Sequence, residues 1–485
     1  MTATLSQHPP HAHDEPTTKN RWWILVIVAL TQLVVVLDGT IVNIALPAAQ
    51  QSIGLSDLER QWVVTAYALS FGALLLLGGR IADYWGRKRT FIVGMIGFGI
   101  ASGYGGLIHS GTELIIARGL QGVFAALMAP AALAILTTTF PGGKDRITAF
   151  AVFGSIAGAG AGVGLVLGGV LTEFASWRWC LLVNVPVVVV AVVAAAFLLE
   201  ESRAEGDKTY DWIGAVLVIL GLGSLVYGFT RAEHGWGHAD VIGFIGGGVL
   251  LLALFVYSQT KVAHPLLPLR VVKHRVRAGA LLLQAVAGSV MIGAMLYLTL
   301  HLQIVLAFSP LEAGLAALPL TVVIGIVAPI LAKLLPRTGP RVIMIIGPVV
   351  GAVAMVYLSR LTVDGSYWVQ VFPALALLGV GMAMMFVPMQ NLALVGVEPH
   401  DAGVASAATN AAMQIGGSIG LAIFTSVYAS ASTGGMGLDA LVDGYSAAFI
   451  ATAVALVVGM VVAIVCIRGT KDELMPDGDG VVHMG

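Results

Sequence analysis

Apolar stretches follow one another along almost the whole chain, with only short polar segments between them. Roughly 20 apolar residues in a helix cross the hydrocarbon core of a bilayer, so each stretch is a candidate span. Fourteen qualify, the first at 22–48 and the last at 445–467. Their apolarity is continuous where that of a barrel strand alternates, which leaves helices as the structure that satisfies every backbone amide in lipid. Charged residues are 11% of the 485 and hydrophobic ones 58%, too few charges to clothe a soluble domain of this size. The fold class this predicts is an all-α polytopic membrane protein with 14 transmembrane helices. Cys180 and Cys466 both fall inside apolar runs and read as small packing residues.

Charge placement tests the count. With the amino terminus in the cytoplasm, 20 of the 25 lysines and arginines fall in cytoplasmic segments. Four fall outside (Arg60, Arg178, Arg231, Arg360), and Arg118 lies within a span. The positive-inside rule then places both termini in the cytoplasm, and a basic carboxy-terminal end on that side requires an even number of crossings. The expected location is the plasma (inner) membrane. Residues 1–21 are polar, with His8, His11 and His13 but no cleavable apolar segment, and read as a cytosolic tail.

A faint repeat divides the spans. Gly86-Arg87-Lys88 after the second span is echoed by Gly339-Pro340-Arg341 after the tenth, an offset of 253. The glycine-rich fifth span resembles the thirteenth at nearly the same offset. Duplicated six-helix bundles with two inserted helices follow: 22–199, 200–277 and 278–467, with a cytosolic tail at 468–485. No polar segment is long enough for a soluble domain. Gly142-Gly143-Lys144 lacks the upstream glycine and the following Ser/Thr of a phosphate loop, so no nucleotide motor is encoded. No clustered nucleophile or metal ligands suggest an enzyme. No cofactor is expected; energy must come from a gradient, or transport is passive.

The chemistry rests on a few embedded polar residues. Asp38 in the first span costs roughly 3 kcal/mol to insert, and Arg118 in the fourth, followed by Gln121, supplies the matching cation. Asp38 lies about 13 Å from the outer end of its span and Arg118 about 9 Å, so the two can pair. Such a pair fixes helix packing or responds to protons. A carboxylate whose burial changes through a transport cycle is a proton carrier. The loop after the second span carries Gly79, Asp83, Gly86 and Arg87, an order that reads as a gate latch as well as a topogenic signal. The fifth span carries two glycine ladders, Gly154/Gly158/Gly162 and Gly160/Gly164/Gly168, the latter followed by Gly169. Spacing of four lets backbones touch, either as plain packing or as a hinge between moving halves. Asn43, His301, Gln303, Met385, Gln390, Asn410 and Gln414 are candidate cavity residues, and His301 could serve as a second proton site.

These motifs resemble the major facilitator superfamily, specifically its fourteen-helix drug:proton antiporter branch. The run from Asp38 to Pro47, the loop Gly79–Arg89 and Arg118-Gly119-Leu120-Gln121-Gly122 match that branch's motifs. So do Trp177-Arg178-Trp179 with Asn184-Val185-Pro186, and Gln303 with the run 309–314. The resemblance implies that Asp38 and Arg118 join proton coupling and that Asp83 stabilises an outward-facing state. It implies a multidrug efflux transporter, exchanging amphipathic small molecules for protons and working as a monomer in the lipid bilayer, with no nucleic-acid partner. Leu165 stands where the branch has proline, and a proton-coupled or facilitated importer is the alternative reading. A non-transporting sensor would need a signalling domain that the chain lacks.

Overall fold

The computed structural model describes residues 20–204, 210–232, 235–398, 401–432, 437–469 and 471–474. Among them are 14 helices long and apolar enough to cross a bilayer. In chain order they are α1 (Arg21–Ile53), α2 (Asp57–Trp85), α3 (Arg87–Leu107), α4 (Gly111–Thr139), α5 (Gly143–Phe174), α6 (Trp179–Leu198) and α7 (Trp212–Arg231). Then come α8 (Ala239–Gln259), α9 (Arg275–Val305), α10 (Pro310–Thr338), α11 (Pro340–Leu358), α12 (Tyr367–Leu394), α13 (Gly403–Ala431) and α14 (Leu438–Cys466). The amino-terminal tail with its histidines lies outside the described residues.

Fourteen crossings return the chain to the end from which it started. At that basic end Arg21, opening α1, pairs with Asp145, opening α5, at 2.7 Å. At the far end, three helices begin with the same local signal. Ser56, Ser110 and Ser309 each accept from the backbone N–H of the glutamate three residues on, and each glutamate returns the bond. These capping boxes satisfy amides that would otherwise face the membrane boundary unpaired. Large apolar side chains are exposed along the spans, while exposed tryptophans stand at both rims: Trp22, Trp85 and Trp212 at the basic end, Trp179, Trp236 and Trp368 at the far end. That is the outside of a protein solvated by lipid with an indole belt at each interface.

Packing within the first six spans joins α1 to α5, α2 to α4, and α3 to α4 and α6. In the last six, α9 packs on α13 and α14, α11 on α12 and α14, and α10 on α12. Gly86 and Gly339, the repeat-related glycines, have φ of +126° and +74° and turn α2 into α3 and α10 into α11. Only glycine takes that backbone without strain, so the sequence echo marks a shared corner. The α7–α8 hairpin packs on itself and lays α7 against both α2 and α13.

The two six-helix sets meet along two seams, α2 with α13 and α5 with α10. A methyl group on Gly169 of α5 would lie 2.6 Å from Leu311 Cα, and one on Gly162 would lie 3.4 Å from Thr321 Cγ2. Nearer the basic end, methyls on Gly154, Gly158 or Gly325 would meet nothing within 4 Å. The α5–α10 seam is therefore zipped at the far end and parted toward the basic end.

Candidate functional site

Asp38 is 0% exposed at the middle of α1. Its helix runs through Pro47 to Ile53, past the expected end at residue 48, so the carboxylate sits deeper than the sequence suggested. The pair with Arg118 still forms: Nη1 donates to Asp38 Oδ2 at 2.5 Å. The Ser110–Glu113 box starts α4 so that Arg118 enters two turns into the helix, at bilayer depth. The other oxygen, Oδ1, accepts from Gln121 Nε2 at 2.8 Å and from Asn184 Nδ2 at 2.9 Å. Three donors thus meet the carboxylate, from Arg118, Gln121 and Asn184.

The network closes on itself. Gln121 Nε2 also donates to Ser102 Oγ at 2.6 Å, and Asn184 reaches the same hydroxyl at 3.3 Å. Arg118 Nη1 holds Gln121 Oε1 at 2.8 Å, its Nε donates to the Val63 carbonyl at 3.2 Å, and its guanidinium lies 4.4 Å from the centre of the Tyr67 ring. Five helices of one half thus contribute: α1, α2, α3, α4 and α6. Asn184 stood within a motif quoted from the sequence, but its role was not read there. Ser102 and Tyr67 carried no signal, since a lone serine or tyrosine in an apolar run has no pattern to mark it.

The glycines of α5 divide by face. Gly160, Gly164 and Gly168 lie against Val36, Thr40 and Ile41 of α1, which is packing within one half and gives no sliding surface between halves. Gly162 and Gly169 face α10 across the seam. Overpacking costs about 1–3 kcal/mol. Gly169→Val should therefore shift the balance away from this closed far end by roughly tenfold. Faster labelling of a cysteine at Leu165, in a chain otherwise free of cysteine, would register the change; an unaltered rate would refute it.

The loop after α2 is bound within its own half. Arg87 Nη2 reaches Asp83 at 3.4 Å, and the Glu201 carboxylate accepts from the backbone N–H of Lys88 at 3.1 Å and of Arg89 at 3.3 Å. Lys88 Nζ in turn caps the end of α6 through Ala196 and Leu199 carbonyls at 2.8 and 2.6 Å. Asp83 is held on its own side, by Arg87 at its carboxylate and by Ala204 N–H at its carbonyl. Glu201 was missed in sequence, where it looked like one more charge in a polar connection. Gly79 lies beside Pro130 of α4, and a side chain at Gly86 would strike Glu201.

The candidate cavity residues separate into three groups. Gln390 and Asn410 are exposed toward the basic end, and Gln414 is half-buried at mid-depth against Gly72. Gln303 instead belongs to the far-end seal, donating from Nε2 to the Ile44 carbonyl of α1 at 2.9 Å, with Asn43 buried next to it in sequence. Leu311 N–H donates to Glu173 across the second seam at 3.0 Å. Met385 and His301 are 0% exposed and face no open cavity; Met385 packs in the core of the second half.

The family description Major Facilitator Superfamily matches residues 28–421. The chain is a member of that superfamily. It is 44% identical over 440 residues to the puromycin resistance protein pur8 of Streptomyces alboniger, covering 88% of each. With the cephamycin export protein CmcT of Amycolatopsis lactamdurans it shares 36% over 435 residues, 89% of each. The lincomycin resistance protein of Streptomyces lincolnensis is 34% identical over 433 residues, 87% of this chain and 88% of that one. Among solved structures, an inward-facing, unoccupied bacterial homologue of the human lysosomal transporter Spinster superposes with a TM-score of 0.66 at 16% identity, covering 94% of this chain and 99% of that one. A peptide transporter, POT, gives 0.67 at 14% identity over 92% and 94% of the two chains. At such identities the structural likeness speaks for the fold alone. As a superfamily member the chain is a multi-pass membrane transporter of small molecules.

Proposed function

We propose that this transporter exports amphipathic, antibiotic-like molecules across the plasma membrane in exchange for protons. On this reading the basic end is cytoplasmic, both termini lie inside, and the parted end of the α5–α10 seam opens inward. The export reading draws on the relatives named for antibiotic resistance and export. The exchange reading is carried by one observation: a fully buried carboxylate at mid-membrane, held by three donors.

A proton arriving on Asp38 takes the place of one of those donors. If it binds Oδ2, Arg118 loses its nearest acceptor but keeps the Val63 carbonyl, Gln121 Oε1 and the Tyr67 ring. Protonation therefore weakens the hold of α4 on α1, leaving the Gln121 bond, without stranding the guanidinium in an apolar site. Because Gly164 packs on Thr40 two residues along, a shift of α1 is passed to α5 and so to the α5–α10 seam. Alternating access coupled to one proton site needs this mechanical link.

Everted vesicles test the proposal. An imposed acid-inside gradient should drive uptake of a fluorescent amphipathic dye, and a protonophore should abolish it. Uptake indifferent to the gradient would remove proton exchange, and gradient-driven uptake confined to right-side-out vesicles would make the protein an importer.

A further inference from the structure

The far-end seal contains a titratable group that the Asp38 network does not use. His301 opens a π-helical turn, His301–Val305, at the far end of α9, and Leu306 N–H bonds back to its carbonyl at 3.0 Å. Such turns interrupt a helix at a cost and recur where a side chain must be aimed. The backbone just beyond is also unusual, with Ala307 at φ +53°. The imidazole is 0% exposed, and neither Nδ1 nor Nε2 has a hydrogen-bond partner. A neutral imidazole always carries one donor and one acceptor, so both are left unmet.

What surrounds the ring explains its position. Tyr445 of α14 meets it edge-on, with centroids 6.2 Å apart and planes at 87°. Tyr445 stacks on Tyr428 of α13 at 5.6 Å, and Tyr428 on Tyr297 of α9 at 5.4 Å. The Tyr445 hydroxyl is likewise buried without a partner. Charge reaches this cluster from the other half. Arg60 and Asp57 of α2 both act electrostatically on the three tyrosines. Arg60 is itself 5% exposed and held by Gln50 at 2.8 Å and Asp57 at 3.0 Å. From the following helix, Glu312 is exposed and occupied with capping Ser309. The charge that meets the cage from the opposite half is thus the Arg60–Asp57 pair, and no carboxylate is bonded to the ring.

We propose that His301 is a second proton-binding site, one that the outside medium reaches only while the outer gate is open. Closed, the gate shuts the ring off from solvent and offers an imidazolium no protein acceptor. A charge buried without a partner is strongly disfavoured. Open, the seam admits water, and an imidazole in water titrates near ~6.5. The open gate therefore binds a proton that the closed gate must shed, so external acid favours the open state. The inference rests on the alternating-access reading, and it makes outer-gate closure conditional on the proton leaving His301.

The test separates this site from Asp38. In a chain lacking Cys180 and Cys466 and carrying Asp38→Asn, spin labels on His109→Cys and Asp364→Cys report the separation of the halves at the outer end. A site that protonates only in the open state should raise the open-to-closed ratio about tenfold between pH 7.5 and 5.5. His301→Gln, or His301→Asn should the first variant fail to fold, should flatten that response. Tyr445→Phe, which keeps the ring and removes the hydroxyl, should retain it. A pH response that survives loss of His301, a response absent from the parent, or one lost equally in Tyr445→Phe would overturn the proposal. Because Asp38 is absent throughout, none of these outcomes depends on proton exchange through Asp38.

Discussion

Asp38→Asn should leave a folded transporter that no longer couples export to the proton gradient. Asparagine keeps the shape, and its Oδ1 still accepts from Gln121 and Asn184, so the five-helix network loses one charge and one bond. Arg118 retains the Val63 carbonyl, Gln121 and the Tyr67 ring. What disappears is the group proposed to bind the proton. Gradient-driven dye uptake in everted vesicles is expected to fall roughly tenfold or more, toward the level of empty vesicles, as intramembrane carboxylates carry such functions. Resistance of overexpressing cells in a growth-inhibition panel should fall with it. Normal gradient-driven uptake by this variant would end the case for Asp38 as the coupling group.

Arg118→Leu attacks the same pair from the other side, with a different signature. It leaves a buried carboxylate without its cation, a change that costs about 3–5 kcal/mol in protein interiors. The expected result is loss of folded protein from the membrane, before any question of transport arises. Cys180 is 0% exposed and provides a native thiol whose reaction with a fluorogenic reagent reports unfolding. Adding Asp38→Asn to Arg118→Leu removes the stranded charge and should restore most of the yield, though not the coupling. The two substitutions are then strongly non-additive in stability, as expected of groups in direct contact. If Arg118→Leu unfolds at the same temperature as the native chain, the pair is not what holds α1 to α4.

The hydrogen-bond inventory of Asp38 shows how a pair legible in sequence acquires its meaning. Two opposite charges in apolar helices had to find each other, because either alone in lipid is costly. Their depth followed from helix rise, although α1 extends beyond Pro47 and alters the estimate. The third and fourth members were not legible. Asn184 comes from α6 and Ser102 from α3, and their approach to α1 depends on how α3, α4 and α6 pack. The glycine ladders show the same limit. Spacing of four identified faces where backbones touch, but not which neighbour each face touches. Gly160, Gly164 and Gly168 serve α1, whereas Gly162 and Gly169 serve the α5–α10 seam.

The sequence by itself determined the fourteen crossings and the residues that would be expensive to bury. Both are local: one helix must satisfy its own amides in lipid, and each charge carries its cost wherever the helix lies. The tertiary structure alone decided which end of the α5–α10 seam is closed, that Asp38 is met by three donors, and that His301 lies sealed among tyrosines. Those properties depend on contacts between helices far apart in the chain. In lipid such contacts are made by close packing and hydrogen bonds between surfaces of nearly equal hydropathy, so the apolar pattern that locates each helix says little about its partner.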